Sequence, residues 1–436
     1  MDGFLPVAII PSDSMTSISA GRVLFLGVGF VLVLSAATIT FADSRFQSRT
    51  DVQSPNETTL QTPSNRINTT MNYLEIPASA VQSNGFSEPY IDVTTATNID
   101  SDRLHVQLEA ESFRIRYENA DSVANRTAAV REAIGSLESD IDRFRQYQTT
   151  AREQYNRDEI TGTEFVEALI RSHAAAENVR AASQTILLAD DEVVEYEIQS
   201  ELEARLKKIG VITHTLSGAV RNRSLDQTVS GSEFGIPVYV ETSDHMIVLA
   251  IIDDGEYVRE AFNRSAFDLD STNEMSISDV VSRSENFYPW MIDSSNRNDF
   301  SIDTLGNSST YVITIQHVRG ELNAYLDAGT TNVFREDQTR DLDTVPVETV
   351  ATNASEVITL TVNSTHETGP MQVRVTQVDN GDPVDASVSI DGTPVGATGA
   401  DGTRWTIDTR GETIVRVETD DGVTLSARIP ADATAG

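Results

Sequence analysis

Val123, Val130, Leu137, Phe144 and Ala151 recur every seven residues, and Ile134, Ile141 and Tyr155 fall at the interleaved 3–4 positions. A strand alternates with period two, so this spacing demands one long helix with a single apolar seam. Thr127 and Gln148 break the seam with polar side chains. The stretch NRDEITGT ends the helix, and Thr161 followed by Glu164 predicts a capping box for the next one. That helix carries Phe165, Leu169, Ala176, Val179 and Ile186 on one face, and its Ala174–Ala176 run permits close approach of a neighbour. A further helix shows Ile198, Leu202, Leu206 and Ile209 and stops at Gly210; an earlier one runs through Leu104, Leu108 and Ile115. Short connections make neighbours antiparallel. Residues 98–223 therefore read as an antiparallel helical bundle or coiled-coil hairpin, either an interaction stalk or a self-contained bundle.

Ahead of the helices, Val23–Ala42 gives 20 residues without a charge, enough to span about 30 Å of hydrocarbon. It follows a short N-terminal segment, 1–22, in which Met15 is an alternative start. Thr40-Phe41-Ala42 is a passable cleavage site, and Arg22 against Arg45 and Arg49 gives no orienting bias. The expectation is a retained transmembrane anchor, or an inefficiently cleaved signal, with the bulk outside the cell. Eight Asn-x-Ser/Thr sequons support export: Asn56, Asn68, Asn125, Asn222, Asn263, Asn307, Asn353 and Asn363. Residues 43–97 read as a mostly disordered tether, because polar residues dominate its first part and apolar ones are isolated.

Past the helices the period changes. PVYVET and HMIVLAII, then the turn Asp253-Asp254-Gly255, predict a hairpin with a helix around Tyr257–Phe262. A helix-like stretch from Ile277 to Trp290 precedes the hairpin YVITIQHV/ELNAYLDA. LAIIDDGEYVREAFNR and NAYLDAGTTNVFREDQTR echo each other, so 233–340 reads as an α+β domain with two hairpin units, by repetition or by ordinary hairpin chemistry. Residues 341–369 read as a linker containing one candidate strand, VITLTV. From 370 to 430, MQVRVTQV, ASVSI, RWTI, TIVRVE and VTLSARI are separated by turns at Asn380-Gly381, Asp391-Gly392, Asp401-Gly402 and Asp421-Gly422. That is the pattern of a small antiparallel β-sandwich. The fold class expected is thus multidomain: α, then α+β, then all-β.

Composition narrows the function classes. The chain has 67 Asp+Glu against 32 Lys+Arg, a formal charge of −35, and no cysteine. Thiolate zinc sites, iron–sulfur clusters, disulfides and a cysteine nucleophile are excluded. A phosphate-neutralising basic patch, and with it a nucleic-acid partner, is not expected. His105, His173, His214, His245, His317 and His366 show no His-x-x-x-His pair or other metal-ligand spacing, and read as isolated surface or packed side chains. No nucleophile elbow, P-loop or Ser-x-x-Lys is present. Asp268, Asp270, Thr272, Glu274, Ser276 and Asp279 have the spacing of a calcium loop. However, Asn273 stands at the glycine position and Asp279 at that of the bidentate Glu. The other reading is an acidic loop with Ser278 or Asp279 capping the next helix. Phe287-Tyr288-Pro289-Trp290 reads as core at a helix end. No catalytic, cofactor-binding or metal residue is assigned.

Strong acidity, only two lysines (Lys207 and Lys208) and 87 Ser+Thr together resemble a haloarchaeal protein. The segments GAVRNRS…VYVETSDHMIVLAIIDDGEYVREAF and ENFYPW…YVITIQHVRGELNAYLDAGTTNVFRE resemble an uncharacterised haloarchaeal membrane-anchored or secreted family over residues about 74–340. That resemblance implies location and architecture but no chemistry. The hairpin ending LDAGTTNVF is distantly similar to PepSY-type modules, which implies a sensory or protease-regulatory role. The tail GDPVDASVSIDGTPVGATGADGTRWTIDTRGETIVRVETDD resembles carboxypeptidase-regulatory-like and related Ig-like domains, which serve adhesion, spacing or stability. The expected function is a non-enzymatic, membrane-tethered extracellular surface protein. It would engage a protein partner or cell-envelope component, with the sandwich as an outer module. The alternatives are the PepSY-like role and, below it, a cryptic hydrolase needing a pocket of convergent polar groups around 233–340.

Overall fold

A computed structural model describes residues 72–87, 93–189, 197–229, 236–306 and 309–431. The apolar segment 23–42, most of the tether and the sequons Asn56, Asn68 and Asn307 lie outside the described residues.

The heptad seam becomes α2 (Val123–Tyr155), flanked by α1 (Val93–Glu118), α3 (Gly162–Leu188), α4 (Ser200–Thr213) and α5 (Ala219–Val229). Val130, Ile134, Leu137, Ile141 and Phe144 share one core with Val106, Phe113 and Tyr117 of α1, Val179 and Ile186 of α3, and Leu202, Leu206 and Ile209 of α4. Four helices closing on one another make a bundle rather than a two-helix stalk. The capping box forms as expected: Thr161 Oγ1 accepts from the Glu164 amide at 3.2 Å and Glu164 Oε2 accepts from the Thr161 amide at 2.8 Å. Two expectations are corrected. The helix of α4 runs through Gly210 to Thr213, because one glycine costs only about 1 kcal/mol and Ile209, Val211 and Ile212 beside it are buried. On α1 the core face is Val106, Phe113 and Tyr117, whereas Leu104, Leu108 and Ile115 are 53%, 67% and 49% exposed. Both triplets fit the helical period, and the aromatic pair offers the larger burial.

The middle domain is one antiparallel eight-stranded sheet. Its strands are β1 (Ser83–Ser87), β2 (Val238–Thr242), β3 (Met246–Asp253), β4 (Glu256–Asn263), β5 (Arg297–Thr304), β6 (Thr310–His317), β7 (Gly320–Asp327) and β8 (Asn332–Asp341), in the order β1-β2-β3-β4-β8-β7-β6-β5. Tyr257–Phe262 is strand β4, not a helix; it lies mid-sheet and is covered on both faces, so its residues lack clean alternation. The two echoing hairpins lie side by side, β4 against β8. Arg259 opposes Gln338 while Arg335 opposes Phe262, so the corresponding arginines point to opposite faces and the echo is not a symmetric repeat. One face packs on the helices: Val240, Leu249, Ile251 and Val258 meet Phe165, Leu169 and Val220. The other face is covered by α6 (Ile277–Phe287), α7 (Pro289–Ile292) and the residues Leu74 and Ile76. Residues 72–87 are therefore part of the fold and not tether. β1 pairs with β2, and Leu74 and Ile76 supply the buried alternation that their polar surroundings conceal in the sequence.

The C-terminal domain is a sandwich of two four-stranded sheets, β14-β11-β10-β9 and β13-β12-β15-β16. Its strands are β9 (Glu348–Ala354), β10 (Ile358–Ser364), β11 (Pro370–Gln377), β12 (Ala386–Ile390), β13 (Thr393–Ala397), β14 (Thr403–Ile407), β15 (Thr413–Thr419) and β16 (Thr424–Ile429). The expected linker 341–369 thus holds two sandwich strands. β9, at the sheet edge, buries none of its residues and so lacks an apolar signature. The Asp401-Gly402 turn needs its glycine: φ is +67°, and a Cβ would sit 2.6 Å from the Val375 carbonyl.

The sandwich is seated on the sheet rather than held away from it. Tyr239, Ala250 and Tyr257 pack against Leu342 and Ile407. Arg410 pairs with Glu241 of β2 and, at 3.0 Å, with Glu367, and also donates to the Ile76 carbonyl at 3.1 Å.

Candidate functional site

Two polar constellations stand out. The first is buried between helices and sheet. The α5 N-terminus leaves amide groups without helical partners, and two sheet carboxylates fill that role. Glu260 Oε2 accepts from the Val220 and Arg221 amides at 3.0 and 3.2 Å, and Asp337 Oδ1 accepts from the Ala219 amide at 3.3 Å. Glu260 Oε1 also accepts from Arg221 Nε at 2.7 Å, while Arg221 donates to Gln148 Oε1 at 2.8 Å and the Leu216 carbonyl at 2.7 Å. Gln148 is thus a buried partner for a charge rather than a flaw in the heptad. A Cβ on Gly218 would fall 1.8 Å from Glu260 Oε2, so glycine is required there for close approach. The sequence stretches GAVR and VREAF, far apart in the chain, meet at this point. His173 and His214 lie beside it, each held down to about 3, by burial first and then by neighbouring arginines. They are neutral at ordinary pH. Arg221, Glu260 and Gln148 satisfy one another and act as a clamp, whereas both ring nitrogens of His173 are buried without a hydrogen-bond partner.

The second constellation is open. A groove of about 610 Å³ runs between α1, α2 and α3, with Leu108, Ile115, Leu137 and Ile186 on its walls and His105 and Glu109 at its side. His105 and Glu109 are one helical turn apart on α1, and Asp140 approaches from α2. His105 Nε2 lies 3.5 Å from Glu109 Oε1 and 3.8 Å from Asp140 Oδ1. Each residue offers one ligand atom, all within 4.8 Å of one another. Asp140 is 4% exposed. Arg143 reaches its Oδ1 at 2.9 Å, but Asp140 Oδ2 and Glu109 Oε2 are buried with no hydrogen-bond partner. Burial pushes the Asp140 carboxyl above its usual range; Arg143 opposes the shift and the adjacent Glu109 adds to it. Among the described residues this is the one group of His, Asp and Glu with such convergence. The reading of all histidines as isolated missed it. A His-x-x-x-Glu pair on a helix was the available signal, and its third member is visible only once α2 packs on α1.

The proposed calcium-loop residues do not converge. Asp268 Oδ1 accepts from the Asp270 amide at 3.1 Å, and Asp270 pairs with Lys208 at 2.8 Å. Ser276, not Ser278 or Asp279, caps α6, accepting from the Asp279 amide at 3.2 Å. Tyr288 is core, as read, and its hydroxyl donates to Glu336 at 2.6 Å. Of the described sequons, Asn125 and Asn222 are exposed on helices, while Asn263 ends β4 and Asn353 and Asn363 lie in sandwich strands. The Asn353 and Asn363 side-chain amides donate to the Ser426 carbonyl at 2.7 Å and to Gln372 Oε1 at 3.0 Å.

A helical bundle, an eight-stranded antiparallel sheet and an immunoglobulin-like sandwich define a three-part class of chain. Comparison with known families divides it near the same joints, except that β1 of the sheet falls within the first match. Residues 18–233 match a domain of unknown function (DUF7096), residues 238–346 a family of unknown function (DUF7094), and residues 349–426 the archaeal fibronectin-III type-like domain. The single family expected over about 74–340 is therefore two, meeting just before β2. The C-terminal resemblance holds at the level of an Ig-like sandwich, which begins at β9. No curated protein and no solved structure matches the chain.

Proposed function

We propose that the protein is a non-enzymatic surface protein of a halophilic archaeon, tethered to the membrane by residues 23–42 with its folded body outside. That body would make contacts within the cell envelope. The match of residues 349–426 to an archaeal fibronectin-III type-like domain carries this reading, since such sandwiches serve as extracellular interaction modules. The uncharged segment, the sequons and the acidity support it. Intact cells treated with protease at native salt test it. The expected result is a membrane-bound protein shaved from outside, with glycopeptides covering Asn125 and Asn222. Recovery in the cytosolic fraction, protected and unglycosylated, would overturn the reading.

A further inference from the structure

The pairing of α1 with α2 leaves one electrostatic account unsettled. Two carboxylates, Glu109 and Asp140, meet in the flank of the bundle, and each presents a buried oxygen without a donor. A buried carboxylate lacking a donor is costly, and two in contact repel. Polar groups placed this way normally face a proton or a cation. An imidazole stands beside the same two carboxylates, His105 Nε2 lying 3.5 Å from Glu109 Oε1 and 3.8 Å from Asp140 Oδ1.

We propose that His105, Glu109 and Asp140 form a binding site for a divalent transition-metal ion, best fitted by zinc. One nitrogen and two carboxylate oxygens within 4.8 Å suit a tetrahedral ion whose fourth position is open. Imidazole selects against magnesium and calcium, which take oxygen ligands. Two anionic ligands balance the charge of the ion. Arg143 holds only Oδ1 of Asp140 and its side chain is 53% exposed, so Oδ2 remains for the metal. His105 and Glu109 line the groove, so the open position faces it and takes water. The ion would cross-link α1 to α2 at the helix turn that carries the exposed Leu104 and Leu108.

The test uses the full chain, solubilised in mild detergent at molar KCl and stripped of metal by chelation. Equilibrium dialysis against zinc should load one tightly held ion per chain, and cobalt should give a visible absorption band of tetrahedral intensity. Asp140→Asn and His105→Gln should each weaken zinc binding at least tenfold and abolish the band. His105 is half exposed, so His105→Gln, checked by circular dichroism, serves if Asp140→Asn fails to fold. No tight zinc, equal uptake by wild type and His105→Gln, or displacement by equimolar magnesium would each overturn the site. The last two outcomes would mark it as ordinary acidic surface.

Discussion

Glu260 joins three backbones with one carboxylate. It sits on β4, caps α5 through two amides and pairs with Arg221, which reaches Gln148 on α2. Both charged side chains are almost fully buried, at 1% and 5% exposure. Removing one member strands the other in a medium that cannot solvate it, at about 3–5 kcal/mol. Glu260→Ala should therefore destabilise by about that much in denaturant unfolding at molar salt. The pair replacement Arg221→Met with Glu260→Leu should cost less than Glu260→Ala alone, because an apolar pair leaves no orphaned charge. A double variant less stable than the single would show that the α5 cap, rather than the ion pair, dominates. None of this was legible beforehand. With 67 acidic residues, no single carboxylate announces that it is buried, and Gly218 gives no sign of its neighbour until β4 lies beneath it.

At the scale of elements, legibility followed how far burial is one-sided. α2 was readable to within a few residues because it shows one apolar seam, and α3 because it has a defined start, Thr161 with Glu164, although its buried residues are divided between the bundle and the sheet. β11, β12 and β14 to β16 were readable, helped in β15 by a clean alternation of buried and exposed positions, whereas β13 was missed because only Val395 of its five residues is buried. Strand β4 was misread because both its faces are covered, and β9 because it lies at the sheet edge, where Val350 and Ala351 are only partly buried against the core. Helix α1 offered two apolar triplets, and the period alone does not choose between them. That choice is checkable. Phe113→Ala should cost about 3–5 kcal/mol of stability, while Leu108→Ala should stay within about 0.5 kcal/mol. Comparable losses at the two positions would return Leu108 to the core. The same ambiguity hid the candidate site, since His105 and Glu109 flank the face that was misassigned.

For the whole molecule, the charge of −35 governs solvent dependence. Acidic side chains are spread over the bundle, sheet and sandwich alike, so the repulsion acts on every interface. At molar salt the Debye length is about 3 Å and this repulsion is screened; at 0.01 M it is about 30 Å and opposes compaction. Dilution from molar to millimolar KCl should lower the thermal midpoint and lose helical signal, measured by circular dichroism. A flat titration would mean that internal pairs such as Arg221–Glu260 hold the fold without screening. The charge is therefore no argument for a cation at any particular place. What sets His105 apart is geometric: it stands beside two carboxylates that each keep one oxygen without a donor.

The docking of residues 72–76 has a mechanical consequence. Asn72 accepts from Arg340 at 2.8 Å, the Tyr73 amide donates to Glu336 at 2.9 Å, and the Ile76 carbonyl accepts from Arg410 of the sandwich. A pull arriving along the chain ahead of Asn72 therefore enters the body at the seam between sheet and sandwich, not at an outlying end. The load divides between the sheet and the sandwich before it reaches β1. Tension entering at Asn72 would stress that joint before it reaches the hairpins of the sheet.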